Sequence, residues 1–389
     1  MRYWIAPFFG LALGACVVTA PAAHLQRCET AQFTVEAEFP SGGMAGCNVV
    51  SETQIAVSIE PEDAEINPSP WYAVRVTPQG DGARTLVLNY SGFEHRYWPK
   101  YSLDGKAWTA LPPEQVEVAR NRRRATLQLP SVGEPYYIAA QEIVGVANYE
   151  RWTEKMAGLS EASTSEIGLS EQGRPIAMLS THASVSDRKT VMLVGRQHPP
   201  EVTGALAMRK FSETVLGESY LARRFRKRFD LVIVPNMNPD GVELGHWRHN
   251  TGGVDLNRDW GPFTQAETQA VKAVIDEIDA AENNQLVLFL DFHSTQRNVF
   301  YTQTIEDEPT PYDFTGSWLG NARARLPDYM FERAERHNTD LPTSKNYIHG
   351  RFDIPAITYE LGDETDRGLI ERSAVVFAEE MMKLLLANE

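Results

Sequence analysis

The sequence predicts an α/β fold, in which a mostly parallel mixed sheet flanked by helices follows a small β-sandwich domain. Between residues 28 and 143, short alternating apolar runs are separated by Gly- and Pro-rich turns, which is typical of a β-sandwich. From residue 144 to residue 389, short apolar runs alternate with helical stretches, which indicates a mostly parallel sheet. A length of 389 residues is sufficient for two such domains.

Composition excludes some classes of partner. Hydrophobic residues make up 42% and charged residues 23% of the chain, which is ordinary for a soluble globular protein. The formal net charge is -15, and a surface of that sign repels phosphate backbones. We therefore expect no nucleic-acid partner.

The N-terminus predicts an exported protein. Arg2 precedes an apolar stretch that ends near Ala15 and is too short to span a bilayer. The four residues Leu13–Cys16 resemble a bacterial lipobox, in which the cysteine becomes the lipidated first residue. We expect residues 1–15 to be a lipoprotein signal peptide and residues 16–27 a linker. The alternative is a plain signal peptide that is cut a few residues later.

The mature protein is then expected in the periplasm, attached to the bacterial outer membrane only by lipid on Cys16. That compartment is oxidising, so Cys28 and Cys47 are expected to pair as a disulfide rather than remain free.

The first domain is predicted from short runs with period-two alternation. Turn signals such as Pro40–Gly43 and Gln79–Gly82 separate these runs. The predicted strands are Gln32–Glu38, Gln54–Ile59, Trp71–Thr77, Thr85–Tyr90, Ala125–Leu129 and Tyr136–Ala140.

The second domain is predicted from apolar strands that alternate with longer amphipathic stretches. The predicted strands are Thr190–Gly195, Leu231–Pro235, Leu286–Asp291 and Ile354–Tyr359. The predicted helices are Val202–Leu216, Gln265–Ala280, Trp318–His337 and Leu369–Leu386.

Three of these strands are followed by residues that can bind metal or transfer protons. His198 follows the first strand, His293 the third and Glu360 the fourth. Ligands of open α/β sheets bind beyond the carboxyl ends of the strands, so we expect these side chains to meet at one edge.

The segment His198–Glu201 contributes two of the candidate ligands, and His293 contributes the third. Two imidazoles and one carboxylate leave a fourth position of zinc open to water, as catalytic zinc requires. Glu360 is the candidate general base that takes a proton from that water.

The segment Trp247–Arg258 carries further candidates. Asn257 and Arg258 suit a carboxylate, because a guanidinium matches two oxygens. Arg248 is expected to stabilise a developing oxyanion. Asp255 is expected to orient the imidazole of His198 without itself binding the metal. His249 and His349 lie near these motifs in sequence and are further candidates for substrate contact.

Together these motifs resemble the M14 zinc carboxypeptidases over about residues 148–389. The resemblance rests on His198–Glu201, Asn238–Gly241, Asp255–Arg258, His293 and Tyr359–Leu361. The interval between Arg248 and Asp255–Arg258 is similar to that of the cytosolic carboxypeptidase branch, as are an N-terminal β-domain and the segment Ile66–Tyr72.

The resemblance implies one zinc ion bound by His198, Glu201 and His293, with Glu360 as general base and acid. It also implies that Arg248 lies at the oxyanion, and that Asn257 and Arg258 bind the terminal carboxylate of a peptide.

The pocket for the terminal side chain departs from the family pattern in one respect. Many relatives carry a mobile tyrosine upstream of the base, at a position that Asn338 occupies here, so Tyr347 is the nearest candidate for substrate binding. An ungapped match back from Glu360 places Lys345 near the pocket floor, where a buried cation would favour an acidic side chain. An exposed loop lysine is the alternative.

The expected activity is hydrolysis of the C-terminal peptide bond of peptides. Acidic C-terminal residues and peptides derived from peptidoglycan are hypotheses about the preferred substrate. One alternative is a related zinc amide hydrolase, either an N-acyl amino acid deacylase or a murein-peptide amidase. An alternative of another class is an inactive binding module of the cell envelope.

Overall fold

A computed structural model describes residues 26–63, 66–304, 306–307, 311, 313–335 and 338–388. The expected signal peptide and Cys16 lie outside these residues. Within the described ranges, no helix is both long enough and apolar enough to cross a bilayer.

Residues 27–139, here called the β region, consist mainly of short strands. They are Arg27–Glu29 (β1), Phe33–Glu36 (β2), Gly46–Ser51 (β3), Gln54–Ile59 (β4), Ala73–Pro78 (β5), Thr85–Tyr90 (β6), Lys100–Ser102 (β7), Thr109–Ala110 (β8), Val116–Val118 (β9), Arg124–Gln128 (β10) and Tyr136–Ala139 (β11). A short 3-10 helix, Pro113–Gln115, precedes β9. The strands β4 and β6 begin and end at the predicted residues.

The strands of the β region form two sheets with a common core. One sheet has the order β1-β2-β5-β11-β7-β8, and the other has the order β3-β4-β6-β10-β9. Val35 and Val74 of the first sheet belong to the same buried cluster as Ile55 and Leu86 of the second. Two sheets packed over one apolar core are the arrangement of a β-sandwich. A disulfide joins Cys28 on β1 to Cys47 on β3, as predicted.

Residues 146–388, here called the α/β region, alternate between strands and helices. The strands are Ser163–Leu169 (β12), Pro175–Ser180 (β13), Arg188–Gly195 (β14), Phe229–Val234 (β15), Asn284–Thr295 (β16), Val299–Thr302 (β17), Glu332–Glu335 (β18) and Ala356–Gly362 (β19). The α-helices are Val146–Leu159 (α1), Val202–Val215 (α2), Tyr220–Arg226 (α3), Pro239–Leu244 (α4), Ala266–Ala280 (α5), Phe314–Arg325 (α6), Ser344–Phe352 (α7) and Arg367–Ala387 (α8). Leu256–Arg258 form a 3-10 helix.

The strands of the α/β region make one mixed sheet with the order β12-β13-β15-β14-β16-β19-β17-β18. The four predicted strands are its parallel centre, β15-β14-β16-β19. Alternate residues of β14 enter different cores: Leu193 packs with α2 and α8, whereas Met192 packs with α5. The sheet is therefore covered by helices on both faces, which explains why its central strands read as continuous apolar runs.

One predicted helix is wrong in its second half. The helix expected over Trp318–His337 corresponds to α6, which ends at Arg325, and is followed by the strand β18. Pro327 explains the difference, because the residue before a proline is disfavoured in helical conformation and proline itself donates no backbone hydrogen bond.

The two regions share part of their packing. Val202, Ala205 and Trp247 of the α/β region belong to the buried core of the β region. Arg96 forms an ion pair with Asp363 at 2.8 Å. The β region is thereby fixed beside the carboxyl edge of the large sheet.

Candidate metal centre and catalytic cleft

The candidate ligands lie at neighbouring strands of the large sheet. The strands β14, β16 and β19 are adjacent and parallel, so their carboxyl ends meet at one edge. His198 follows the end of β14, and His293 on β16 is in register with Glu360 on β19. Because β16 and β19 continue past the predicted ends, His293 and Glu360 lie inside strands rather than after them.

His198, Glu201 and His293 direct their donor atoms at one small volume. Nδ1 of His198 lies 2.8 Å from Oε1 of Glu201, and Nδ1 of His293 lies 2.7 Å from Oε2 of the same carboxylate. The two Nδ1 atoms are 3.2 Å apart, and all three side chains are buried.

A carboxylate behind each imidazole sets its orientation. Oδ1 of Asp255 lies 2.8 Å from Nε2 of His198, and Oδ2 of Asp291 lies 2.8 Å from Nε2 of His293. When Nε2 donates to a carboxylate, Nδ1 is the unprotonated nitrogen that is available to a metal. Asp255 thus occupies its expected place, and Asp291 adds a partner that the sequence analysis missed.

These donors fit a zinc ion. Catalytic zinc takes two imidazoles and a carboxylate at about 2.0–2.1 Å, which in a tetrahedron places neighbouring donors roughly 3.3 Å apart. The separations here are 2.7, 2.8 and 3.2 Å. Two imidazole nitrogens 3.2 Å apart in a buried site are also stabilised by a positive charge between them.

The electrostatics of the site favour that positive charge. Burial would raise the pKa of Glu201, but His198 and His293 hold it well below its usual range. Burial would lower the pKa of His293, but the carboxylates of Asp291 and Glu201 raise it well above its usual range. The carboxylates of Glu201, Asp255 and Asp291 around the two imidazoles therefore favour a cation at this point.

Glu360 lies beside the ligand set in the same cavity. Its Oε2 atom is enclosed and has no hydrogen-bond partner among the residues that the structure describes. Burial and the negative charge of Glu201 raise its pKa to about 7. A carboxyl group with this pKa can both accept and donate a proton near neutral pH.

Arg248 faces the cavity from the loop that follows α4. Its Nε donates to Oδ2 of Asp255 at 2.7 Å, so Asp255 bridges this guanidinium and the imidazole of His198. Burial would raise the pKa of Asp255, but His198 and then Arg248 hold it well below its usual range. The carboxylate therefore remains ionised and keeps the arginine at a fixed place relative to the ligands.

Asn257, Arg258 and Lys345 also line the cavity. Oδ1 of Asn257 accepts from the backbone N–H of Ser344 at 3.0 Å, and Nη1 of Arg258 donates to the backbone oxygen of Asn257 at 2.7 Å. Lys345 is buried, and Nζ donates to Oδ1 of Asn346 at 2.7 Å. These three predicted substrate-binding residues are thus brought together beside the ligand set.

The prediction that Tyr347 binds substrate in this cavity is wrong. Tyr347 does not line this cavity; its ring packs against Trp260 and Phe263, and its hydroxyl accepts from Nη1 of Arg351. On α7, Lys345 points to the cleft, and a residue two positions later on a helix points to a different side. The tyrosine that lines the cavity is Tyr301 on β17, which the sequence analysis missed.

The β region contributes to the cleft. Asn67, Pro68, Ser69 and Arg96 line the same cavity, which has a volume of about 370 Å³. A second cavity of about 580 Å³ shares Pro68, Arg96 and Gln296 with the first. The two cavities therefore adjoin at these three residues, where the regions meet. His249 and His349 are not among the residues that line the first cavity.

Comparisons with known proteins agree with this geometry. Residues 149–379 match the M14 peptidase family of zinc carboxypeptidases. Cytosolic carboxypeptidase 6 of Mus musculus is 24% identical over 327 residues, covering 75% of this chain and 59% of that protein. The human protein of the same name is 23% identical over 327 residues, covering 75% of this chain and 63% of that protein. The chain therefore spans roughly three fifths of the length of these relatives.

A similar fold is found in a solved structure. The metallo-carboxypeptidase of Burkholderia cenocepacia superposes with a TM-score of 0.75 at 20% identity, covering 91% of this chain and 98% of that chain. This likeness extends the shared fold through both the β region and the α/β region. Because the family match covers more than half of the sequence, the chain belongs to the M14 family of zinc carboxypeptidases.

Proposed function

We propose that this chain is a zinc metallocarboxypeptidase that hydrolyses the C-terminal peptide bond of peptides. The observation that carries the proposal is the convergence of His198, Glu201 and His293 on one buried point, with Glu360 and Arg248 in the same cavity. This set offers metal ligands, a proton acceptor and a cation, which are the groups that peptide hydrolysis requires.

Zinc, when bound, acts as a Lewis acid that makes water more acidic and polarises a carbonyl group. Glu360 takes the proton of the attacking water and passes it to the nitrogen of the leaving amino acid. Arg248 donates to the carbonyl oxygen as negative charge develops there, and its ion pair with Asp255 keeps it in place for that contact.

Release of only the last residue requires recognition of a free carboxylate. Arg258 lies at the cavity with a guanidinium that can bind two carboxylate oxygens. A peptide whose carboxylate is bound there places its last peptide bond near the metal ligands. An internal bond has no such carboxylate, so the enzyme acts from the chain end.

The shape of the cleft favours peptides over small N-acyl amino acids. A deacylase is expected to have a small closed pocket, whereas this cavity adjoins a second cavity at Pro68, Arg96 and Gln296. The second cavity lies next to the site and is large enough for residues that precede the scissile bond. An intact set of ligands together with Glu360 also disfavours an inactive binding module.

Lys345 supports a preference for an acidic terminal side chain. It is buried at the cavity, and no carboxylate among the described residues forms an ion pair with it. Burial lowers its pKa to about 8, so it still carries its charge at neutral pH. An acidic side chain would neutralise this buried charge, whereas a basic one would add repulsion.

Mass spectrometry of peptide products tests the proposal directly. The zinc-loaded protein should remove the last residue of a peptide and leave the same peptide with a C-terminal amide intact. Rates of cleavage should also be measured for peptides that end in Glu, Phe, Lys, γ-linked glutamate or diaminopimelate. These rates give the order of preference for the terminal residue. Equal rates for Glu, Phe and Lys would remove the acidic preference, and rapid cleavage of the amidated peptide would refute the carboxypeptidase assignment.

We further propose that the protein is exported and lipid-anchored in the periplasm. The lipobox-like segment Leu13–Cys16 and the disulfide between Cys28 and Cys47 support this location, because disulfides persist in oxidising compartments. Labelling with radioactive palmitate in a bacterial host should mark the wild type and not the Cys16→Ala variant. Recovery of unlabelled wild-type protein in the cytoplasm would contradict the proposal.

A further inference from the structure

We infer that Glu62 of the β region is a positioning residue for Arg248, so that the β region completes the catalytic apparatus. This inference rests on the proposed function. Glu62 follows β4, and its carboxylate reaches the loop between α4 and Asp255 that carries the arginine.

The carboxylate of Glu62 accepts three consecutive backbone N–H groups of that loop. The N–H of Trp247 donates to Oε2 at 2.7 Å, and the N–H groups of Arg248 and His249 donate to Oε1 at 2.9 and 2.7 Å. Hydrogen bonds to an ionised acceptor are stronger than those between neutral groups. The main chain on both sides of Arg248 is therefore held by one side chain.

Arg248 is consequently fixed at two points. Glu62 holds its backbone from the β region, and Asp255 holds its Nε at 2.7 Å from the α/β region. Asp255 also contacts His198, so the guanidinium acquires a set distance from the metal ligands. Electrostatic stabilisation of an oxyanion depends on such preorganisation, since a donor that is slightly displaced loses most of its effect.

A second metal site is a less suitable interpretation of the same residues. Glu62, Asp63 and His249 lie close enough together to hold an ion. However, both oxygens of Glu62 already accept backbone N–H groups, and Nδ1 of His249 lies 2.9 Å from Oδ2 of Asp63. Glu62 therefore already serves to hold the loop through these backbone hydrogen bonds.

The test compares Glu62→Ala, Arg248→Ala and the double variant in the zinc-loaded full chain. Removing one oxyanion donor costs about 10²–10³ in kcat, so a misplaced donor should cost roughly ten- to a hundredfold. We expect kcat of Glu62→Ala to fall by that factor, with KM within about threefold and zinc content unchanged. In the Arg248→Ala background, Glu62→Ala should lower kcat by less than about twofold, because the group that it positions is already absent.

Asp63→Ala is the matched control. It removes the neighbouring contact to the His249 side chain and leaves the three backbone hydrogen bonds intact, so its kcat should stay within about twofold of wild type. Glu62→Gln keeps one acceptor oxygen and should give an intermediate kcat. It replaces Glu62→Ala in the comparison if the alanine variant does not fold.

Two results would overturn the inference while leaving the proposed function intact. One is a wild-type kcat in Glu62→Ala or Glu62→Gln. The other is a double variant whose decrease in kcat equals the product of the decreases in the two single variants. A wild-type protein without carboxypeptidase activity would overturn both.

Discussion

At the scale of single residues, the activity of this cleft depends on a few charges held in defined places. The motifs His198–Glu201, His293 and Glu360 were sufficient to predict the metal centre, because each follows an apolar run that indicates a strand in the sequence. The structure adds groups that stabilise or complete the centre from elsewhere in the chain.

The role of Glu360 makes a direct prediction. Glu360→Gln should lower kcat by about 10²–10⁴, because the amide cannot accept the proton of water. Zinc content should stay at the wild-type level, because the three ligands are unchanged. Steady-state kinetics together with metal analysis measures both, and the exposed Glu371→Gln provides a matched control. A variant that keeps wild-type kcat would exclude Glu360 as the base.

The charge of Lys345 predicts a pH effect on specificity. Its pKa is lowered to about 8 by burial, so the ammonium group is present below this pH and lost as the pH rises through it. The ratio of kcat/KM for a Glu-terminated peptide to that for a Phe-terminated peptide should therefore fall between about pH 7 and 9. Titration of Glu360 changes kcat/KM for both substrates by the same factor, so its effect divides out of the ratio.

Lys345→Met supplies the control for this pH effect. The variant should show a low ratio that does not change across the same pH range. A ratio that stays constant in the wild type would contradict the assignment of Lys345 as the determinant of acidic preference.

Several residues of the site could not be predicted because nothing in the sequence links them to it. Asp291 belongs to the site because of its contact with His293, which is a property of the folded chain. Tyr301, Arg96 and Glu62 reach the cleft or its loop through tertiary packing of distant segments. Tyr347 illustrates the opposite error, in which proximity in sequence was taken for proximity in space.

At the scale of elements, the metal centre lies between the N-terminus of helix α2, which Glu201 precedes, and the strand β16, which carries His293. Gly204 allows their close approach, since a Cβ atom there would lie 2.4 Å from the backbone oxygen of His293. The backbone N–H of Gly204 also donates to Oγ of Ser294 at 2.8 Å. The distance between Glu201 and His293 is therefore set by a contact that only glycine permits.

Gly204→Ala should separate these two elements. Overpacking of this kind costs about 1–3 kcal/mol of stability, and the displaced ligands should also bind zinc more weakly. Thermal unfolding and a competition titration with a zinc chelator would measure the two effects. Gly320→Ala on α6, where a Cβ atom meets nothing within 4 Å, is the control and should be neutral or stabilising. Unchanged zinc affinity in Gly204→Ala would contradict this account of the contact.

The elements that could be predicted are those with a strong apolar pattern. The central strands β14, β15, β16 and β19 are buried on both faces and were all identified. The outer strands β12 and β18 are mostly exposed or half-buried and polar, so hydrophobic periodicity does not mark them. Their pairing with neighbouring strands is a tertiary property.

At the scale of the whole molecule, the β region and the α/β region are expected to unfold together. Val202, Ala205 and Trp247 lie in the core of the β region, and Glu62 and Arg96 bind the α/β region. Calorimetry should show one cooperative transition. Saturating zinc should raise the temperature of this transition, because the ion binds the folded state.

A fragment of residues 144–389 should be unstable, since the apolar side chains of Val202, Ala205 and Trp247 would be exposed. Two separate transitions, or a stable fragment that binds zinc normally, would contradict this coupling.

The most direct test of the metal centre is anomalous diffraction from crystals of the zinc-loaded protein, recorded on both sides of the zinc absorption edge. We predict one strong peak between Nδ1 of His198, Nδ1 of His293 and the carboxylate of Glu201, with Glu360 beside it and not bound to it. Zinc absent from this position in active crystals, or bound instead at Glu62, Asp63 and His249, would contradict the account.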